Sequence, residues 1–88
     1  MSVMETSEHR LKRLRLRSWR RGTKEMDLIL GPFADKRLAD LGAGELAAYE
    51  AMIEENDQDL YRWMTGQQDA PPVHAPLVVT IRMFHGIT

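Results

Sequence analysis

Pro76-Leu77-Val78-Val79-Thr80-Ile81-Arg82-Met83-Phe84-His85 is the stretch on which the fold class turns. Its β-branched run, Val78-Val79-Thr80, favours an extended strand, because branched side chains pack well on a pleated surface. A strand needs a neighbour, since unpaired backbone N–H and C=O groups are costly to bury. No second strand is evident anywhere else in the 88 residues. Context therefore favours a helix: Pro76 suits a first helical position, Leu77, Ile81 and Phe84 share a face, and Gly86 can end it. The expected class is all-α.

The segments that precede it agree. Gln67 to Pro72 reads as part of an exposed linker, residues 67–75, with Pro71-Pro72 extended. Before it, Leu60, Trp63 and Met64 form a short apolar face, opened by Asn56-Asp57-Gln58-Asp59 and closed by Gly66. Leu46, Tyr49, Met52 and Ile53 define another helix, with Glu50, Glu54 and Glu55 on its remaining sides and Gly42 at capping-box spacing from Glu45. Leu38 and Leu41 pin a short connector. From Thr23 to about Asp35, Met26, Ile29, Leu30 and Phe33 meet the helical template completely, and Gly31-Pro32 predicts a kink. The first helix runs from an N-cap at Ser7 to about Arg20. It places Leu11, Leu14 and Trp19 on one broad face and Arg10, Arg13, Arg17, Arg20 and Arg21 opposite, with Leu16 off the apolar face. The whole is expected to be one domain over residues 1–88, a five-helix bundle with flexible tails at 1–6 and 86–88. Its core draws on Leu11, Leu14, Met26, Ile29, Leu30, Phe33, Leu46, Tyr49, Ile53, Leu60, Met64, Leu77, Ile81 and Phe84.

Composition narrows the setting. The chain is 43% hydrophobic and 28% charged, an ordinary globular balance. With no cysteine there is no disulfide framework and no thiolate metal site, and a reducing compartment is the default. Neither an 18-residue apolar run nor an N-terminal h-region is evident. A soluble, cytoplasmic bacterial protein without membrane insertion is expected.

The net charge of −1 hides a segregation: residues 1–24 carry eight basic and two acidic side chains, and the remainder carries four basic and eleven acidic ones. This polarity predicts either a surface for an anionic partner or charge complementarity between neighbouring helices. Its seam is Arg20-Arg21-Gly22-Thr23-Lys24-Glu25. Gly22 suits a helix C-cap, with Thr23 opening the next helix, and it also suits the close approach of another molecule's backbone, with Arg21 and Glu25 making directional contacts around it.

Catalytic constellations are not found. His9, His74 and His85 are scattered, without a second ligand at i+3 or i+4. Arg21-Gly22-Thr23-Lys24 lacks the other glycines of a phosphate loop and follows a helix, not a strand. No elbow motif surrounds Ser2, Ser7 or Ser18, and Asp57 and Asp59 are explained as helix-start carboxylates.

Arg21-Gly22-Thr23-Lys24-Glu25 matches the Arg-Gly-x-x-Glu signature of the succinate dehydrogenase assembly factor family, the small SdhE-type proteins that promote flavinylation. Ser18 to Asp35 resembles the first two helices of its α-proteobacterial and mitochondrial form, and Glu55 to Met64 is similar to the family's acidic turn and tryptophan helix. The resemblance covers about residues 10–66 and fades past Pro71. It implies a five-helix fold and a non-enzymatic assembly chaperone. Such a protein binds the flavoprotein subunit of succinate dehydrogenase, and of fumarate reductase in some bacteria, and promotes covalent attachment of FAD to that subunit. FAD would be attached to the partner and not stably held by this chain, which is expected to be a monomer when free. Arg21, Gly22 and Glu25 carry over as partner-binding residues, with Asp27, Arg17 and Arg20 extending the footprint. A second reading follows from the basic first helix, a nucleic-acid-binding or antitoxin-like protein. Against it, the acidic remainder would repel a phosphate backbone.

Overall fold

The computed structural model describes residues 5–87. Within them five helices follow one another: α1 (Ser7–Trp19), α2 (Lys24–Arg37), α3 (Ala43–Met52), α4 (Asp57–Met64) and α5 (Ala75–Phe84). A single 3₁₀ turn, Leu38–Asp40, joins α2 to α3, and no strand occurs among the described residues. The β-branched C-terminal stretch is α5, with Pro76 in its first turn and Gly86, at φ +75°, beyond its end.

Local chemistry sets the helix ends. Thr6, not Ser7, caps α1, its hydroxyl accepting the His9 N–H at 3.2 Å. Thr23 caps α2 and Asn56 caps α4 in the same way, accepting from Met26 and Asp59. At both ends of the described chain the expected tails make contacts. Glu5 pairs with Arg13 at 2.7 Å, and Ile87 N–H donates to the Arg82 carbonyl at 2.8 Å. Residues 1–4 and Thr88 lie outside the described residues.

α2 runs through Pro32 to Arg37 as one helix. Gly31 serves as a seat: a Cβ there would stand 2.3 Å from the Trp19 indole. Trp19 therefore lies over α2 at 37% exposure and donates its indole N–H to Asp35, instead of entering the core from the apolar face of α1.

The core forms where the apolar faces meet. Leu14, Met26, Leu30, Phe33, Tyr49, Ile53, Leu60, Met64, Leu77 and Ile81 are buried, and Leu11, Ile29, Leu46 and Phe84 pack against them half-buried. Ala34, Leu38, Met52, Trp63 and Val78 complete the cluster. Phe33 is central, stacked on Tyr49 at 5.8 Å and edge-on to Phe84 at 5.5 Å. Ser18 is fully buried and donates to the Leu14 carbonyl, so the Tyr49 hydroxyl at 2.6 Å is left to donate to Ser18. Burial pushes that phenol up to about 12.

The stretch at 67–75 is mostly exposed, but its end is tied to the fold. Pro71 turns the chain, its carbonyl accepting from the N–H groups of both His74 and Ala75 at 2.9 Å. His74 is buried beside Trp63 and bonds Glu55 through Nε2 at 2.9 Å. The turn thereby ties α5 to the loop before α4.

Candidate functional site

α1 stops at Trp19 and α2 starts at Lys24, so Arg20–Thr23 must reverse the chain. Gly22 does this at φ +103°, a conformation strained for any residue with a Cβ. The cap of α1 is Arg20, so Gly22 is the turn residue that follows the cap. Space around it is ordinary: a Cβ would meet nothing nearer than Asp57 Oδ2 at 3.7 Å.

Two neighbours fix this loop. The Arg21 backbone N–H donates to Asp27 Oδ1 at 2.7 Å, so a carboxylate in the first turn of α2 holds the loop from one side. From the other side the Arg21 guanidinium reaches inward. Its Nε bonds Asp57 at 2.9 Å, and its two terminal nitrogens donate to the carbonyls of Ile53 and Glu55. Arg21 thus satisfies carbonyls left open at the end of α3 and neutralises an acid at the start of α4. Its side chain is 9% exposed. The sequence assigns Arg21 and Asp27 to partner contact; in the structure their side chains bond within the fold and hold the loop.

Most of the arginine stripe of α1 is likewise turned to internal use, Arg20 excepted. Arg10 and Arg13 share Glu50 at 3.0 and 2.8 Å, Arg13 also grips Glu5, and Arg17 bonds Glu54 at 2.6 Å. Arg13 holds the Glu5 and Glu50 carboxyls below the usual range, and Arg17 does the same for Glu54. Part of the segregation of charge along the chain is therefore complementarity between α1 and the acids of α3 and the turn after it. Arg17, expected at the partner interface, is engaged by Glu54 on the surface.

What the loop presents outward is Gly22, Lys24 and Glu25, all exposed. Among the described residues the side chains of Glu25, Arg20 and Lys24 have no hydrogen bond or ion pair. Glu25 borders a shallow depression of about 250 Å³ with Thr23, Asp57, Gln58 and Tyr61. Tyr61 and Asp57 are additions to the sequence-predicted set. The first is an exposed aromatic on a short amphipathic helix; the second had been read only as a helix-start carboxylate. Among the described residues no three His, Asp or Glu side chains converge as metal ligands, and no helix is long and apolar enough to cross a membrane.

Residues 12–85 match the family model described as the flavinator of succinate dehydrogenase. The chain belongs to this family. It is 39% identical over 69 residues to the mitochondrial succinate dehydrogenase assembly factor 2 of Meyerozyma guilliermondii, covering 78% of this chain and 51% of that relative. The mitochondrial assembly factor 2-B of Drosophila mojavensis is 36% identical over 83 residues, covering 92% of this chain and 53% of the relative. For the Aspergillus terreus assembly factor 2 the figures are 44% over 64 residues, 73% and 21%. The chain spans about half or less of the length of these relatives. All three are mitochondrial proteins of eukaryotes, which overturns the expectation of a bacterial cytoplasmic location. The matched residues of this flavinator-family chain run past Pro71, where the sequence resemblance had faded, through α5.

Proposed function

We propose that this chain is an assembly factor that binds the flavoprotein subunit of succinate dehydrogenase and promotes the covalent attachment of FAD to it, without supplying the bond-making groups itself. FAD is then a substrate of the client's reaction, bonded to the client and not stably held here. One observation carries the reading beyond family membership: Gly22, Lys24 and Glu25 form an exposed edge whose own polar side chains are unbonded among the described residues, on a loop fixed by the largely shielded Arg21 side chain. An edge of this kind loses little freedom on docking, so binding free energy goes into contact with the partner. Gly22 leaves room for a partner backbone, Glu25 accepts hydrogen bonds from partner donors, and Asp27 and Arg21 keep both in place. The factor would act by holding the subunit in the conformation in which the subunit's own groups complete the bond.

Purified apo flavoprotein subunit, incubated with FAD and with or without equimolar chain, tests this directly. Flavin that stays with the denatured subunit in a gel is the readout. The proposal expects more covalent flavin, sooner, when the chain is present; equal labelling in both samples would contradict it. Size-exclusion chromatography with light scattering checks that the free factor is a monomer and that the mixture contains a one-to-one complex.

A further inference from the structure

Next to the loop, α1 borders a groove of about 680 Å³ that shares no lining residue with the Glu25 depression. Lys12, Leu16 and Arg20 follow one another along it at four-residue spacing, about 6 Å apart along the helix axis. Leu16 is 47% exposed, an apolar side chain among cations. The internal pairing of α1 stops short of its neighbours. Arg13, Arg17 and Arg21 of the groove wall each have an acidic partner within the fold, whereas Lys12 and Arg20 have none among the described residues. The wall contains one acid, Glu54, already bonded to Arg17. A strip with an apolar centre and an uncompensated cation one turn to either side is left.

We propose that this groove is a second recognition subsite, which takes an acidic segment of the flavoprotein subunit that carries one apolar side chain between two carboxylates. The assignment rests on the proposed function. Charge complementarity selects the occupant: carboxylates meet Lys12 and Arg20, and the apolar side chain covers Leu16. The spacing fits a segment in extended form, whose alternate residues stand about 6.5 Å apart. Arg20 and Arg21, just before Gly22 in the chain, border the groove, and Thr23 and Glu25, just after it, border the depression, so one partner surface can reach both. The two subsites have opposite sign, which fixes the direction in which the partner lies across the loop.

Affinity of the purified apo flavoprotein subunit for the intact chain is measured by fluorescence anisotropy for wild type, Leu16→Ser, the double reversal Lys12→Glu with Arg20→Glu, and Glu25→Ala. All four altered side chains are exposed, and circular dichroism melting confirms that each variant is folded. The proposal expects the double reversal to weaken binding about tenfold or more, mostly through a slower on-rate, and Leu16→Ser to weaken it several-fold. A benzophenone side chain in place of Leu16 should crosslink to a subunit segment with acids flanking an apolar residue. If wild type does not bind the subunit at all, the proposed function itself fails. If Glu25→Ala weakens binding while the groove variants bind as wild type does, the function stands and the groove assignment is overturned. Crosslinks confined to a segment without acidic residues also overturn it. So does tighter binding of wild type to a fluorescent DNA duplex, lost in the double reversal, which would assign the groove to a phosphate backbone.

Discussion

Arg21 Nε donates to the Asp57 carboxylate at 2.9 Å across 36 residues of sequence, and both side chains are largely shielded from water, at 9% and 16% exposure. The same guanidinium holds two carbonyls at the α3–α4 junction, so removal of the side chain strands three acceptors at once. Arg21→Ala is predicted to destabilise the fold by about 3–5 kcal/mol, the cost of breaking a buried pair from one side. Arg21→Lys should recover only part of this, because an ammonium cannot reproduce the planar fork. Urea denaturation checks both variants. Wild-type stability in Arg21→Ala would mean that the guanidinium is not a fold element and would return it to the surface role read from the sequence.

Trp19 covers Gly31 so closely that a methyl group on Gly31 would stand 2.3 Å from indole carbons. Gly31→Ala should therefore displace the ring, break its bond to Asp35 and cost about 1–3 kcal/mol, as overpacking does. In a Trp19→Ala background the same change should cost nothing or stabilise the helix, since alanine is the better helix former. A double-mutant cycle by thermal melting measures the coupling. Additive effects would show that the two residues do not share this contact.

Acid should loosen the α1–α3 side first. Glu5, Glu50 and Glu54 have folded-state carboxyl values lowered by Arg13 and Arg17. A carboxyl lowered by folding contributes stability that is fully present above its unfolded value, about 4.3, and is lost as pH falls through the lower folded value. The denaturant midpoint should thus hold from pH 7 to about 5 and fall below about 4. Glu50→Gln should flatten the fall, most clearly at low salt, because these pairs are surface-exposed. An identical pH profile for Glu50→Gln and wild type would rule out this account.

The buried hydrophobic set provides a separate check on the packing. Leu30 and Ile53 are buried to 0% and 1% exposure, so truncating either to alanine should cost about 2–5 kcal/mol, a large share of the stability of a domain this small. Chemical denaturation that leaves the midpoint of both variants unchanged would contradict the core described here.

Periodicity made the core legible: every residue read as core is buried in the cluster or packed against it, from Leu11 to Phe84. Helix identity was also legible at α5, where the lack of a pairing partner outweighed β-branched propensity. What the sequence left hidden was long-range pairing. Nothing local distinguishes Arg21 from Arg20, yet one is bonded across to Asp57 and the other is exposed. Gly31 read as a helix interruption because its function depends on Trp19, from a different helix. His74 read as linker because a buried histidine needs Glu55, which lies 19 residues away. The Arg-Gly-x-x-Glu pattern falls on the α1–α2 loop, but it could not separate the residues that shape the loop from those it exposes.

That separation decides how the central claim is tested. Gly22→Arg combines an added side chain with a strained φ, at about 1–3 kcal/mol, so loss of function in it would be ambiguous. Glu25 is exposed and unbonded among the described residues, and its truncation should leave the melting temperature close to wild type. The decisive measurement is in-gel flavin fluorescence of the succinate dehydrogenase flavoprotein subunit co-expressed with wild type or Glu25→Ala, in cells lacking their own factor. The account predicts a folded Glu25→Ala protein and a severalfold loss of covalent flavin on the subunit. Wild-type flavinylation by Glu25→Ala would contradict it.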